Sequence, residues 1–448
     1  MGEVPERGVR RAARVPEGRA ERFARLGSML AGIAGEATLE ALRRVAGRGE
    51  TEGSLMATPA NAHRVTETLA DLRGAAMKIG QLLSLQGDDL LPPRFAEILS
   101  SLRDQAFFMP EAQVSEVLAR ELGPHWEARF AEFDFEPIAA ASIGQVHAAQ
   151  SVDGRDLALK LQYPGVSRSI SSDVENLALM LKLSRLLPAE VDYSVLVPEL
   201  KAELRREADY RREARNTERY RRLIEDDPGL RVPRVHLDLS TRQVLALDRV
   251  HALPIEDLRA PEHPQERRDR IGASLVRLVF RELFSFHFMQ TDPNFANYLF
   301  EPKDERLALL DFGSARSFPP EFADTYRRLI IAAVERDHRT LLVLAAELGF
   351  VRGEESLTER AVFVELCELF AEPLREPGRY DFRASDLAAR VRKRSVEAFT
   401  EYRFPQPPTQ TLFLHRKLAG SFLLCSHIGA SVDCHAAYQQ WVLDRGSP

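Results

Sequence analysis

The sequence has only three cysteines in 448 residues, Cys367, Cys425 and Cys434. That is too few for a disulfide framework and points to a reducing compartment. The last two lie near His427 and His435, but the spacing fits no zinc pattern, so buried thiols in a helical bundle are expected. Charge of one sign is also scarce. A formal net charge of -6 leaves no basic excess to neutralise phosphates, which argues against nucleic-acid binding. No run approaches the roughly 20 apolar residues that a spanning helix needs. The nearest N-terminal candidate, Gly27-Ser-Met-Leu-Ala-Gly-Ile-Ala-Gly35, is too short. The Arg-rich leader before it carries Glu3, Glu6, Glu17 and Glu21, and transit peptides avoid acids. A secretory signal fails for want of an apolar core. The expectation is a cytoplasmic protein whose contact with a membrane, if any, is peripheral.

What is present suits a folded chain: 44% hydrophobic and 29% charged residues, long enough for two or more structural units. Residues 1–58 read as a flexible leader with a short helix. From 59 to about 125 the pattern is helical, with Leu69, Leu72, Ala76, Ile79 and Leu83 on one buried face. Lys78 and Gln81 fall on an adjacent face, and spacing alone reads them as solvated. Gly80 between them costs about 1 kcal/mol relative to Ala, which close packing or function should justify. A further helix is expected from Glu111 to Leu122.

A small-residue loop follows, Pro137-Ile-Ala-Ala-Ala-Ser-Ile-Gly-Gln-Val-His147, running into a strand from Val146 to Ser151. Asp153-Gly154 predicts a type I′ hairpin. The return strand, Arg155 to Gln162, contains Leu157-Ala-Leu-Lys160. This is similar to the kinase Val-Ala-Ile-Lys, whose ammonium pairs with nucleotide phosphates. Such a lysine needs a glutamate from a neighbouring helix. A single helix predicted from Leu196 to Leu223 offers Glu207 and Glu213, six residues apart and on roughly the same side, and either could meet Lys160. Glu203 in the same stretch reads as solvated. A second hairpin is predicted from Arg231–Leu239 and Gln243–Val250.

The strongest constellation comes next. A predicted helix from Glu266 to Met289 leads into Gln290-Thr-Asp-Pro-Asn-Phe-Ala-Asn297, and Leu309-Leu-Asp-Phe-Gly313 follows. Asp292, Asn297 and Asp311 have the spacing of a kinase catalytic Asp, metal-binding Asn and metal-binding Asp. Mg²⁺ is a hard ion that takes oxygen ligands, which Asn and Asp supply. Beyond Asp311 the chain reads as helical to its end, with Pro405 to Pro408 the one strong breaker and no Ala-Pro-Glu to close an activation segment.

Taken together the motifs resemble the UbiB/AarF-type atypical kinase-like family, including its mitochondrial coenzyme Q members. The resemblance is carried by Lys78-Ile-Gly-Gln81, Ala139 to His147, Leu159-Lys-Leu-Gln-Tyr-Pro-Gly165, Glu207-Ala-Asp-Tyr-Arg-Arg-Glu-Ala214, Phe288 to Asn294 and Leu310-Asp-Phe-Gly313. The tail Leu414-His-Arg-Lys-Leu-Ala-Gly-Ser-Phe-Leu-Leu-Cys425 also looks like the mitochondrial-type end. It implies an α+β, atypical protein-kinase-like bilobal fold with an N-terminal accessory helical extension (59–125), a small lobe (126–252) and a mostly helical C-terminal lobe (253–448). By the same resemblance, Lys160 would contact phosphates and pair with Glu213, and Asp292 would take the catalytic slot. Asn297 and Asp311 would hold Mg²⁺, and Ala139, Ala140, Ala141, Ser142, Ile143 and Gly144 would border ATP or ADP. Lys78 and Gln81, with Glu207 and Asp209, would form a regulatory motif over the site.

The implied function is support of ubiquinone biosynthesis, with quinone-biosynthesis proteins and lipid intermediates as partners. A kinase Gly-rich loop uses several glycines for close approach to phosphates. Alanines here intrude methyl groups, and Thr291 stands where a kinase has Arg. Both features favour ATP hydrolysis or a lipid-directed role over protein phosphorylation. The alternatives are a true kinase of a protein or small molecule, and a non-catalytic nucleotide-sensing scaffold.

Overall fold

The computed structural model describes residues 108–141, 143–184, 193–401 and 408–444. The expected leader, the Lys78/Gln81 helix and Ser142 lie outside the described residues. The chain divides into two compact units, one running to Arg212 with Val235–Arg249 added, the other Glu213–Arg234 with Val250–Pro448.

The first unit opens with α1 (Glu111–Leu122), whose Val114, Val117, Leu118 and Leu122 make one buried stripe at helical spacing. Three strands follow, β1 (Phe130–Ala141), β2 (Gly144–Ser151) and β3 (Asp156–Gln162). Next along the chain come α2 (Val166–Ser184), α3 (Tyr193–Glu207), α4 (Tyr210–Leu223), which from Glu213 on belongs to the second unit, β4 (Leu230–Arg231), also of the second unit, and β5 (Val244–Asp248), of the first. The sheet of this unit has the order β1-β2-β3-β5, all antiparallel. In β3 the side chains alternate, so Leu157, Leu159 and Leu161 enter a core with Val117, Leu118 and Trp126 while Lys160 takes the other face. Edge-to-face contacts of Trp126 with Phe133 and Phe135 close that core.

Several local expectations are corrected. Ala139, Ala140 and Ala141 are strand, not loop: they pair with Val146, Gln145 and Gly144, so the connection shrinks to Ser142 and Ile143. The β2–β3 turn is not type I′. Only Gly154 has positive φ (85°), and its N–H donates to the Ser151 carbonyl at 2.9 Å. The predicted helix from Leu196 to Leu223 breaks at Ala208-Asp209 into α3 and α4. Asp209 causes the restart, since its carboxylate accepts the Arg212 N–H at 3.1 Å, and side-chain capping of this kind competes with helix continuation. Glu207 and Glu213 therefore do not share one helix face. Glu203, expected to be solvated, is fully buried and paired with Arg206 at 3.0 Å. The second hairpin is reduced to β5 plus a single bridge, Val235 to Leu247. Pro233 has no N–H to give a ladder, and β4 pairs instead in parallel with another strand of its own unit, Arg306–Leu309.

The second unit continues with β6 (Leu253–Pro254) and α5 (Gln265–Phe280). Here the predicted helix stops short of Met289: a π-helical turn, Arg281–Ser285, ends it before β7 (Phe288–Met289). The strands β8 (Tyr298–Glu301) and β9 (Arg306–Leu309) form a hairpin in a sheet ordered β4-β9-β8-β6, and β10 (Arg316–Ser317) pairs with β7. Helices α6 (Pro320–Glu335), α7 (His338–Glu347) and α8 (Leu357–Arg375) follow, then β11 (Tyr380–Asp381), α9 (Leu387–Glu401), α10 (Thr409–Ile428), β12 (Ser431–Val432) and α11 (Cys434–Tyr438). The expectation of helix from Asp311 to the end holds for α6 to α11 but is interrupted by the two-residue strands β10, β11 and β12. One core joins Ile271, Leu275 and Leu278 of α5 to Tyr298, Phe300, Leu307, Leu309 and Phe312, and to Leu424 and Ile428 of α10. Cys425 and Cys434 are buried there, and Cys367 is half-buried. No helix among the described residues is long and apolar enough to cross a membrane.

Candidate active site

Asp292, Asn297 and Asp311 are brought together by the β8–β9 hairpin. Tyr298 pairs with Leu309, and the Leu310 N–H donates to the Asn297 carbonyl at 3.1 Å, so residues 297 and 311 stand at adjoining strand ends. The turn between β7 and β8 is fixed through the Asp292 carbonyl, which accepts from Gln290 Nε2 at 2.6 Å and from Asn297 Nδ2 at 3.2 Å. That bond commits the Asn297 amide nitrogen and leaves its Oδ1 as the group to offer a cation. Thr291, fully buried, donates its hydroxyl to the Ser314 carbonyl at 2.6 Å. This neutral bond ties the Asp292 turn to the segment after Asp311-Phe-Gly313.

Glu213 borders the same segment. A Cβ placed on Gly313 would lie 3.4 Å from Glu213 Oε2 and 3.2 Å from Asp311 Oδ1. The next turns of α4 hold the segment as well: Asn216 Nδ2 donates to the Phe312 carbonyl at 3.0 Å, and the Tyr220 ring packs 4.6 Å from that of Phe312. Glu213 itself is buried.

In the first unit, Lys160 is half-buried with its ammonium 5.2 Å from the centre of the Tyr210 ring, a cation–π contact. Lys160 and Glu213 belong to different units. Ala139 and Ala140 are exposed at the end of β1, whereas Ile143 is buried. Gly144 has a packing reason that its loop assignment concealed. A Cβ there would meet the Leu161 carbonyl at 2.2 Å and the Tyr210 hydroxyl at 2.9 Å, so only glycine lets β2 approach β3 this closely. Beside it, Gln145 and His147 form a buried chain. Gln145 Oε1 accepts the Met109 N–H at 2.8 Å, Gln145 Nε2 lies 2.7 Å from His147 Nε2, and His147 Nδ1 lies 2.8 Å from the Asp134 carbonyl. The carbonyl requires the proton on Nδ1, leaving Nε2 to accept from the amide. Burial lowers the His147 pKa, in keeping with a neutral ring.

Sequence reading missed the contribution of α10. Arg416 Nη2 donates to Asp292 Oδ1 at 2.5 Å, with both side chains largely buried. One residue on, the fully buried Lys417 lies 3.1 Å from Glu282 Oε2 and donates to the Tyr298 hydroxyl at 3.0 Å. Glu282 Oε1 in turn accepts from the Tyr220 hydroxyl at 2.7 Å and the Gln290 N–H at 3.0 Å. Burial pushes the Glu282 carboxyl above its usual range against the opposing pull of Lys417. Gly420 lets the helix come this near, for a Cβ there would sit 2.2 Å from Pro293 Cβ. The signal was in the sequence as Arg416, Lys417 and Gly420 at helical spacing, but nothing local connects them to a turn more than a hundred residues earlier.

As a metal site the second unit offers few groups. Among the described residues no cluster of three His, Cys, Asp or Glu could hold an ion. An amide and a carboxylate oxygen still suit Mg²⁺, which keeps waters and takes substrate phosphate oxygens for its remaining positions.

The family description "ABC1 atypical kinase-like domain" matches residues 101–345. The chain is 39% identical over 432 residues to the rat (Rattus norvegicus) mitochondrial atypical kinase COQ8B, spanning 96% of this chain and 81% of that one. It is 36% identical to the mitochondrial atypical kinase COQ8 of Saccharomyces cerevisiae, spanning 96% and 86%. Among solved structures, a Mycobacterium tuberculosis protein in complex with erythromycin matches with a TM-score of 0.60 at 26% identity, over 93% of this chain and all of that one.

Proposed function

The chain belongs to the ABC1 atypical kinase-like family, and from that premise we propose that it is a Mg²⁺-dependent ATP-hydrolysing enzyme that supports ubiquinone biosynthesis by working on or beside lipid quinone intermediates. The kinase-like, ATP-binding character comes with the family. The finer reading rests on the second unit's turn, where Asn297 spends its amide nitrogen on the Asp292 carbonyl and stands beside Asp311 at paired strand ends. Asn297 and Asp311 would hold Mg²⁺, which when bound neutralises phosphate charge. Asp292 is the base for the attacking oxygen, and Lys160 and the Ala139–Gly144 tip serve the nucleotide. Lys78, Gln81, Glu207 and Asp209 serve as the regulatory motif.

Hydrolysis is favoured over protein phosphorylation because residues 314–319 alone separate Gly313 from α6. So short a connection offers little backbone for docking a peptide acceptor. Thr291 also stands in place of the arginine through which a phosphorylated activation segment would act, and its bond to Ser314 is neutral.

The test is the thermal shift given by Mg²⁺ with ADP or ATP, together with phosphate release. Asp311→Asn should abolish both. Undiminished hydrolysis in that variant rejects the reading, and transfer of labelled γ-phosphate to a protein, lost in Asp292→Ala, would favour a true kinase.

A further inference from the structure

Arg416 is a charged group at this turn whose hydrogen bonding is incomplete among the described residues. Its side chain is only 8% exposed, and Nη2 is committed to Asp292 Oδ1. Nη1 is buried and has no hydrogen-bond partner among the described residues. A buried, charged donor left unmade is costly, and a catalytic role is one explanation for such a group. The helix that carries the guanidinium is seated close on the turn. Gly420, one turn further along α10, seats the helix on Pro293, while Lys417 is fixed by Glu282 and Tyr298.

The catalytic turn supplies no cation of its own, since nothing from Gln290 to Asn297 is Lys or Arg. Phosphoryl transfer has little covalent chemistry for a protein to perform, and positioned positive charge at the transferring group is the main lever. A planar guanidinium with one arm on the base and the other unspent matches that need.

We propose that Arg416 contacts the transferring γ-phosphoryl group in cis, Nη2 holding Asp292 and Nη1 taking a non-bridging phosphoryl oxygen. The oxygen of water or of an acceptor hydroxyl attacks the γ-phosphorus, and its proton passes to Asp292 Oδ2. The bond from that phosphorus to the β-phosphate oxygen breaks, and its electron pair leaves with ADP. Arg416 keeps its proton throughout. This assignment rests on the nucleotide-hydrolysing reading of the site, and the experiment separates the two.

The full chain is compared with Arg416→Gln and Arg416→Lys for melting without ligand, with Mg²⁺-ADP, and with Mg²⁺-ADP plus aluminium fluoride, which mimics the transferring phosphoryl group. ATP turnover is measured in parallel. The wild-type chain should gain stability with Mg²⁺-ADP and a further increment with fluoride. Arg416→Gln should keep the first and lose the second, with kcat down about 10²–10³-fold, as for loss of one transition-state donor, and KM little changed. Arg416→Lys preserves the charge but not the fork, so it decides the matter if the glutamine variant folds poorly; it should retain the ADP shift with a reduced fluoride increment. A full fluoride increment or near-normal kcat in the folded variants overturns the assignment and leaves the nucleotide site standing. Absence of any Mg²⁺-ADP shift in the wild-type chain overturns the site reading and the assignment with it.

Discussion

Gly420→Ala tests whether α10 is seated on the Asp292 turn by contact or merely lies near it. In an isolated helix this change should help, by about 1 kcal/mol, because alanine is the better helix former. In the structure the new methyl would fall 2.2 Å from Pro293 Cβ and 2.3 Å from Cγ. Carbon atoms rest about 3.5–4.0 Å apart, so something must move by roughly 1.5 Å. Pro293 cannot rotate aside, since its ring fixes φ. The helix must therefore retreat, and it carries Arg416 and Lys417 with it. Overpacking of this kind costs about 1–3 kcal/mol. A retreat near 1 Å also lengthens the 2.5 Å Arg416–Asp292 bond beyond useful reach. Misplacement on that scale costs about 10²-fold in rate. The expected result is a lower midpoint in urea and thermal melts with turnover down about a hundredfold, while Leu423→Ala, at a half-exposed position of the same helix, leaves turnover unchanged. A Gly420→Ala protein that melts higher than wild type with normal turnover would show that helix propensity wins and that the seating argument is wrong.

Two further outcomes follow from buried charges. Lys417→Met strands Glu282 in the core and should cost about 3–5 kcal/mol in chemical denaturation, whereas adding Glu282→Gln should recover a large part of it, because removing both charges is far cheaper than removing one; a single variant as stable as wild type would refute the pair. His415, half-buried against Phe350 and Tyr326, has its pKa lowered by burial to about 4. Its contribution is then present in full above the unfolded value near 6.5 and is lost as pH falls towards about 4, by about 3 kcal/mol. The wild-type minus His415→Phe difference in unfolding free energy should show that slope between pH 6.5 and 4, and a flat difference would count against a neutral buried ring.

The sequence was most legible where structure is local and periodic. Helices α6 to α10, in the stretch read as helical, and the β2–β3 hairpin follow from apolar spacing and turn residues, which need no knowledge of the rest of the chain. It was least legible where a side chain competes with its own backbone or where packing acts at long range. Asp209 restarts a helix that propensity would have continued, and Pro233 empties half of an apparent hairpin. Glu203 looked solvated because its helix is rich in charge, yet it is fully buried beside Arg206. The alanine-rich stretch read as a loop because small residues are permissive, while pairing across β1 and β2 ties Ala139 to Ala141 into a ladder.

That last change alters the argument about nucleotide geometry. A flexible glycine loop adapts to phosphates by changing its backbone, but Ala139 to Ala141 are tied into a ladder, and Gly144 is spent on the close approach to Leu161 and Tyr210. The first unit's tip is therefore poorly suited to closing over a phosphate by rearranging its own backbone. In the second unit the Asp292 turn is also braced, through Thr291 to Ser314, through Gln290 to Glu282, and through Pro293 to Gly420. Rigid parts favour positioned electrostatics over induced closure, since preorganised charge need not be rearranged at the moment of reaction. A guanidinium delivered by a packed helix, with one nitrogen still unspent, is the form that such charge takes here.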